Sequence, residues 1–389
     1  MGVIHLARRL WENLHADRRR PPHARLAALD DPERFVWAIL PHAARSFSFC
    51  IALLPRRTAL PLAVAYLYCR MLDTCEDLPT SGEEKAAKLA AFRARFDAPI
   101  AGVAKSLAAP PAIDPGRARD DADRTYLLLL AQAPRVDHLF LALPAAQQAV
   151  IVRLVRRMAD GMIWAVRTFA AQGGALASDE QLTKYCFGVL GNPILFADEM
   201  QRLACGLEPE VDGARRELAG KVGEAIQLAN VARDLEKDCV AGVFYLPELK
   251  RAGAVELPGA IAAARRRLLV RALELGRAFR PFLAGIPSPR ISFARGAALL
   301  MELFTLAFWQ GTAQRLGVDS PRRDRITPAR SARLVVRAVF SRRGFTDVLV
   351  RLDRVFAEEA ERLARGSAAT LPGTSSSLDA RRCQTNRAG

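Results

Sequence analysis

The chain reads as all-α, and three observations predict it. Hydrophobic residues make up 51% of its 389 positions, with alanine and leucine prominent. Little of the sequence alternates apolar and polar residues in the two-residue period of a strand. Two apolar helical segments, near residues 59–77 and 212–238, each carry a stripe of polar groups along one face at three- and four-residue steps. At this length the chain can bury a large core, as one big helical domain or two smaller ones, and no strong boundary divides it.

Residues 1–29 form a basic segment, a terminal amphipathic helix followed by a break at Pro21-Pro22. Its start lacks the uninterrupted apolar run and the small-residue cleavage site of a secretory signal. Asp30-Asp31-Pro32-Glu33 opens a helix, with proline at an early position and acids at the positive end of the dipole. That helix is expected to run to about Leu40 and Pro41 to start another. Arg45-Ser46-Phe47-Ser48-Phe49 then places an arginine and two hydroxyls beside aromatics. After a break at Pro55, a long helix is expected over 58–77, with Tyr66, Arg70, Asp73 and Asp77 on one face.

Pro79-Thr80-Ser81-Gly82 ends it. A charged amphipathic helix follows at 83–96, and 108–123 reads as a surface loop. Two helices divided near Pro144 should fill 126–169. Ser178-Asp179-Glu180 caps the next, which contains Tyr185 through Gly191. Glycines at 188 and 191 cost helix propensity, so close packing or close approach of a bulky ligand must compensate. Further helices are expected at 212–238, 258–280, 291–316, 328–341 and 346–365. Phe293, Met301, Phe304, Phe308 and Trp309 serve either as core or as the wall of an apolar tunnel. The main domain is bounded at 30–365, and 366–389 reads as a disordered polar tail.

The chemistry concentrates in Asp73-Thr74-Cys75-Glu76-Asp77. Three carboxylates within about one turn repel one another, and where water is partly excluded a dication is the natural compensation. Hard oxygen ligands suit Mg²⁺, which takes one or two carboxylates and completes its shell with water and phosphate oxygens. A phosphate-bearing ligand follows. Gln227, Asn230, Asp234 and Asp238 repeat the design on a second helix. Either stripe alone would serve equally as a solvated face; two on otherwise apolar helices favour opposite walls of one metal site. Arg70, one turn from Asp73, is either a salt-bridge partner or a second anion clamp.

Composition excludes several classes. Seven scattered cysteines without a Cys-x-x-Cys pair indicate reduced thiols in a cytoplasmic protein and no zinc site, and five dispersed histidines form no ligand cluster. No apolar run is long enough to span a bilayer; the longest, 296–316, is interrupted by Glu302 and Arg315. The formal charge of +16 comes from arginine pairs and triplets without interleaved aromatics. Peripheral attraction to a membrane surface is therefore expected rather than nucleic-acid binding, and the chain is expected to act as a monomer.

Five ordered motifs resemble those of the squalene/phytoene synthase family of head-to-head prenyl transferases. They are Arg45-Ser46-Phe47; Tyr66 and Arg70 leading into Asp73-x-x-Glu-Asp77; Tyr185-Cys-x-x-Val-x-Gly191; Gln227-x-x-Asn-x-x-Arg-Asp234-x-x-x-Asp238; and Tyr245-Leu-Pro247. The resemblance spans about 35–340 and implies a single-domain isoprenoid synthase fold, two Asp-rich helices facing each other across an apolar cavity. It implies Mg²⁺ at Asp73, Glu76, Asp77, Asn230, Asp234 and Asp238, with Gln227 in support. Arg45, Ser46, Arg70 and Arg233 would hold diphosphate, and Tyr66 and Tyr185 would line the reacting centre.

Asp-Thr-x-Glu-Asp is closer to the squalene synthase branch, which implies two farnesyl diphosphates joined through presqualene diphosphate to squalene, with NADPH reducing the second step. Arg322, Arg323 and Arg325 are candidates for the cofactor phosphate. A C20-using phytoene synthase, an enzyme stopping at presqualene diphosphate, and a non-catalytic assembly factor are the alternatives; intact acidic motifs count against the last. The sequence departs from the family at Val243, where arginine is common, at Ala44, where serine is common, and in lacking the C-terminal anchor of eukaryotic squalene synthases.

Overall fold

The computed structural model describes residues 2–78, 81–97 and 106–365. The expectations for Pro79, Thr80 and the tail at 366–389 fall outside them. Among the described residues every regular element is helical, and the one sheet-like pairing is an isolated bridge between Ala175 and Phe244.

The chain opens with α1 (Gly2–His15), α2 (His23–Ala27), α3 (Pro32–Ala44) and α4 (Phe47–Leu53). Next come α5 (Arg56–Asp77), α6 (Gly82–Ala94), α7 (Asp121–Ala131), α8 (Ala133–Leu141) and α9 (Ala145–Ala171). After α10 (Asp179–Cys186) a widened π-helical turn, Phe187–Gly191, leads into α11 (Asn192–Ala204) and α12 (Gly213–Val240). The rest comprises α13 (Pro247–Arg251), α14 (Leu257–Gly276), α15 (Phe279–Ala284), α16 (Phe293–Gln314), α17 (Pro328–Phe340) and α18 (Arg342–Arg365).

Side-chain capping accounts for seven of the helix starts. Asp31, Ser81, Asp120, Ser178, Asp212, Ser292 and Thr327 each accept a bond from the backbone amide three residues on, satisfying an otherwise orphaned donor. Four expectations need correction. Pro41 does not start a helix; α3 runs through it with the ring buried, and ends at Arg45, whose φ is 45°. The 126–169 stretch holds three helices, because Pro134 opens a new one at the second position of α8. The segment at 258–280 splits, since the ring of Pro281 clashes with the carbonyl four residues back and stops α14 from continuing. Pro193 likewise lacks a donor, and the turn before it widens.

Two apolar clusters fill the interior. One gathers α3, α5, α6, α8 and α9 around Tyr68, Phe92, Phe96 and Phe140; the other gathers α12, α14, α16 and α18 around Trp309, Phe279 and Phe356. Each buried aromatic contributes roughly 1.5–3 kcal/mol. The two acidic helices therefore belong to different clusters, and the space between them is the seam. The basic start also docks on the body: Arg9 is buried and donates to the Leu54 carbonyl at 2.8 Å, and Leu26 lies in the first core. No helix among the described residues is long and apolar enough to cross a membrane.

Candidate active site

A cavity of about 330 Å³ lies in that seam. Tyr66, Arg70 and Asp73 of α5 face Gln227 and Asn230 of α12 at its polar end. Leu154 and Met158 of α9, Ile194 and Phe196 of α11, Ala294 and Ala297 of α16 and Leu54 beyond α4 make most of the rest apolar, with Thr58, Asp198 and Gln201 the polar exceptions. The face foreseen on α5 is thus the face that lines the cavity, with Thr58 and Asp73 about 22 Å apart along it.

The acids at the polar end repel one another. Burial pushes the Asp73 carboxyl up to about 6, and Asp77 adds to this while Arg70 opposes it. Glu76 is pushed up to about 8, by burial first and then by Asp77 and Asp73. On the other wall burial takes Asp238 up to about 6, reinforced by Asp234 and, from across the cleft, by Asp77. Carboxylates on helices far apart in sequence therefore sense each other. Burial also raises Asp77, against the lowering effect of Arg70, Lys85, Arg119 and Lys237. Lys85, Arg119 and Lys237 thus bring positive charge toward Asp77, which the sequence pattern did not reveal.

No group of three or more Asp, Glu, His or Cys among the described residues is arranged to hold a metal by itself. Facing, half-satisfied carboxylates with Asn230 between them still fit Mg²⁺, which needs only one or two carboxylates and takes the remainder from water and phosphate. The donors on the two acidic faces are all oxygen, as a hard cation requires.

Of the two readings of Arg70, the structure shows the salt bridge. Its Nη1 lies 3.1 Å from the Asp73 carboxylate, Nη2 donates to the Tyr66 hydroxyl at 3.4 Å, and the guanidinium stacks 4.8 Å from the Tyr126 ring centroid. Its buried Nε has no partner. Arg233 is turned otherwise: it clamps Asp234 through two bonds, 2.8 and 2.5 Å, and stands over Phe308.

Tyr185 lies in an aromatic group with Phe169 and Tyr245, its hydroxyl 3.3 Å from that of Tyr245 and 3.4 Å from the donating Gln227 amide, which accepts from Asn230 at 3.3 Å. Burial raises both phenols. The neighbour Tyr245 was quoted only as motif. It is positioned by backbone bonds between Phe244 and the 174–176 turn, where Gly174 at φ 92° approaches so closely that a Cβ would lie 2.3 Å from the Gly242 carbonyl oxygen.

The glycines of the π turn serve packing. Gly188 meets Gly161 of α9, and Gly191 meets Gly223 of α12, backbone against backbone. Val189 and Leu190 between them line the cavity. Close packing and wall-building coincide.

Ser46 borders a small side pocket with Asn230, Phe304 and Phe308, whereas Arg45 is exposed beside it at its left-handed φ. Arg322, Arg323 and Arg325 do not line the cavity. They stand on the turn after α16, Arg323 against Asp324 and Arg325 against Asp319. Val243 offers no charge, and its amide donates to the Asp238 carbonyl at 2.9 Å.

A family profile described as squalene/phytoene synthase matches residues 40–307. A Botryococcus squalene synthase from Botryococcus braunii is 30% identical over 208 residues, 52% of this chain and 39% of that protein. A squalene synthase from Ganoderma lucidum is 26% identical over 248 residues, 61% of this chain and 49% of its own length. A phytoene synthase from Mycobacterium tuberculosis is 26% identical over 230 residues, 59% of this chain and 62% of that enzyme. The chain thus spans between about two-fifths and three-fifths of the length of these relatives. Among solved structures, TcSQS in complex with a ligand superposes with a TM-score of 0.62 at 20% identity, covering 87% of this chain and 99% of that one, which establishes likeness of fold.

Proposed function

Because this chain belongs to the squalene/phytoene synthase family, we propose that it condenses two farnesyl diphosphates head to head, through presqualene diphosphate, to squalene. The observation that carries the reading is the pair of acidic helices facing each other across the polar end of an otherwise apolar cavity. Prenyl chains occupy the apolar length and their diphosphates the polar end.

Asp73, Glu76, Asp77, Asn230, Asp234 and Asp238 are the residues that would hold Mg²⁺. Bound there, Mg²⁺ supplies charge neutralisation to the departing diphosphate. Arg70 adds a guanidinium on the cavity wall, so the allylic C–O bond breaks beside positive charge. The apolar walls exclude water that would otherwise capture the allylic cation. The second chain then attacks it, and the proton lost on ring closure passes toward diphosphate or the Tyr185–Tyr245–Gln227 hydroxyl and amide group. Arg45, Ser46, Arg233, Lys85, Arg119 and Lys237 are further diphosphate contacts, Arg233 after releasing Asp234. Reduction of presqualene diphosphate would draw its hydride from NADPH; Arg322, Arg323 and Arg325 stand off the cavity.

Condensation of two C20 diphosphates is the second reading, favoured by likeness to the mycobacterial phytoene synthase. Incubation with farnesyl diphosphate and Mg²⁺, with and without NADPH, followed by mass analysis of the lipid extract, tests both. Squalene formed only with NADPH supports the full sequence. Presqualene diphosphate under both conditions limits the chain to the first step, and turnover of geranylgeranyl diphosphate alone overturns the C15 reading.

A further inference from the structure

We propose that Glu224 of α12 and Arg271 of α14 are positioning residues: with Thr183 of α10 they form a clasp around a buried carboxylate, off the cavity, that fixes where the Tyr185 hydroxyl stands against Tyr245 and Gln227. The inference rests on the reading in which that hydroxyl serves the condensation. It gives a role to charges that the metal and diphosphate chemistry leaves unused.

Arginines recur along α14 at 265, 266, 267 and 271. A solvated stripe would turn them all to water. Arg265 instead is 4% exposed, and its Nε donates to the Ala232 carbonyl at 2.8 Å, which binds α14 to the second half of α12. Arg271 reaches three acceptors with one planar fork. Its Nη2 donates to the Thr183 hydroxyl at 2.5 Å and to the Glu224 carboxylate, and its Nη1 lies 3.3 Å from Asp179. The Thr183 hydroxyl donates to the same Glu224 oxygen at 3.3 Å, which closes a triangle among α10, α12 and α14.

A buried acid with its counterion built in can serve the fold alone; its place on the helix assigns it more. Glu224 is three residues before Gln227, about 4.5 Å along the same side of α12, and Thr183 is two residues before Tyr185. So α10 and α12 are bonded at two neighbouring points, Thr183 to Glu224 and the Gln227 amide to the Tyr185 hydroxyl. The second contact, at 3.4 Å, is long and holds little by itself. The first is fastened by a charge-assisted bond in a water-poor place. The clasp therefore sets the register, and the phenol follows. Cys186, next to Tyr185, senses the same charges: burial raises its thiol, Glu224 adds to this and Arg271 opposes it.

Arg267, one turn before Arg271, repeats the device nearer the surface. It donates to Asp179 at 2.6 Å and to Glu248 at 2.7 Å, joining the start of α10 to α13 just beyond Tyr245. One helix thus grips the segments that carry both phenols, whose hydroxyls are 3.3 Å apart. At 48% exposed, Arg267 contributes less than the buried clasp.

The test labels the full chain with 3-fluorotyrosine. Its five tyrosines give five fluorine signals, assigned by replacing each with phenylalanine in turn. Glu224→Ala should displace the signals of Tyr185 and Tyr245, leave those of Tyr68 and Tyr126 in place, and lower kcat for farnesyl diphosphate with Mg²⁺ by about tenfold or more at little change in KM. Glu224→Gln keeps an oxygen that accepts both bonds, so it should restore signals and kcat. Arg271→Lys keeps the charge, but one ammonium does not span three acceptors, so displaced signals and lowered kcat should remain. Arg337→Ala, which removes an exposed pair with Asp347, should change neither. Thermal melts separate loss of stability from loss of position: a variant of Glu224 or Arg271 that melts earlier yet keeps the Tyr185 signal and kcat per folded molecule would overturn the proposal. So would full rescue by Arg271→Lys, or a displaced Tyr185 signal with unchanged kcat. The fluorine signals are read without substrate, so a chain inert toward prenyl diphosphates would end the condensation reading while the signals still decide whether the clasp holds Tyr185.

Discussion

The carboxylates of the core are buried and those of the cleft half-buried or exposed, and they are treated oppositely. In the core Asp137 accepts from Arg95 at 2.5 Å and from the Tyr68 hydroxyl at 2.8 Å. Asp198 is clamped by Arg215, and Glu199 lies between Arg153 and Arg157. In the cleft Glu76, Asp77 and Asp238 sense other acids, and among these five acids only Asp73 and Asp234 are in ion pairs with an arginine. An acid with its counterion built in holds the fold together. An acid left facing acids keeps a repulsion that a cation from outside relieves, and that is where binding is to be sought.

The comparison can be broken in several places. The largest effect is expected at Asp73→Asn, which should lower turnover of prenyl diphosphate by about 10³-fold with the fold intact. Steady-state rates beside a thermal melt check it, and unchanged turnover would remove the metal reading. Arg95→Met should do the reverse, leaving Asp137 buried without its cation and costing about 3–5 kcal/mol in urea unfolding; a loss under about 1 kcal/mol would mean the pair is not structural.

Mg²⁺ with inorganic diphosphate should raise the unfolding midpoint, by about 2.7 kcal/mol at a ligand concentration of about 100 Kd. The gain should vanish in Asp73→Asn and persist in a core variant. Gly223→Ala sets a methyl 2.5 Å from the Gly191 backbone, so α12 must shift away from the π turn. Overpacking of this kind costs about 1–3 kcal/mol and should displace Gln227 and Asn230; a raised KM in an otherwise folded variant is the readout.

Glu302 supplies the smallest effect and a third kind of acid. It is 1% exposed, neither carboxylate oxygen has a partner, and burial holds its carboxyl well above the usual range, with Asp353 adding to this. The folded chain keeps a proton there that the unfolded chain releases above about pH 4.3. Stability from this residue therefore falls as pH rises from that point toward neutrality. Glu302→Gln should flatten that slope and stabilise by about 1 kcal/mol at pH 7, as read from urea midpoints across pH; parallel slopes in both proteins would contradict it.

Much of this was legible in the sequence because it is local. The three- and four-residue steps that set Tyr66, Arg70 and Asp73 on one face of α5, and Gln227 and Asn230 on one face of α12, follow from helical geometry alone, and both faces line the cavity. Capping residues such as Ser178 and Asp212 marked helix starts because a side-chain oxygen and an amide three residues on are always within reach. Prolines misled where burial outweighed local cost, as at Pro41, or where they were overlooked, as at Pro134.

What only the tertiary structure decided is every relation between distant segments. Arg233 reads as a diphosphate contact in its motif, yet in the fold its nearest anion is Asp234. Tyr245 joins Tyr185 because the 174–176 turn bonds to Phe244, and Gly188 and Gly191 match glycines on two other helices. Arg9 and Arg295 reach carbonyls far along the chain, tying α1 to the end of α4 and the start of α16 to α17. Periodicity fixes which side of a helix a residue occupies; which neighbour that side meets depends on packing against segments tens to hundreds of residues away, and on the charges that the approach leaves paired or alone.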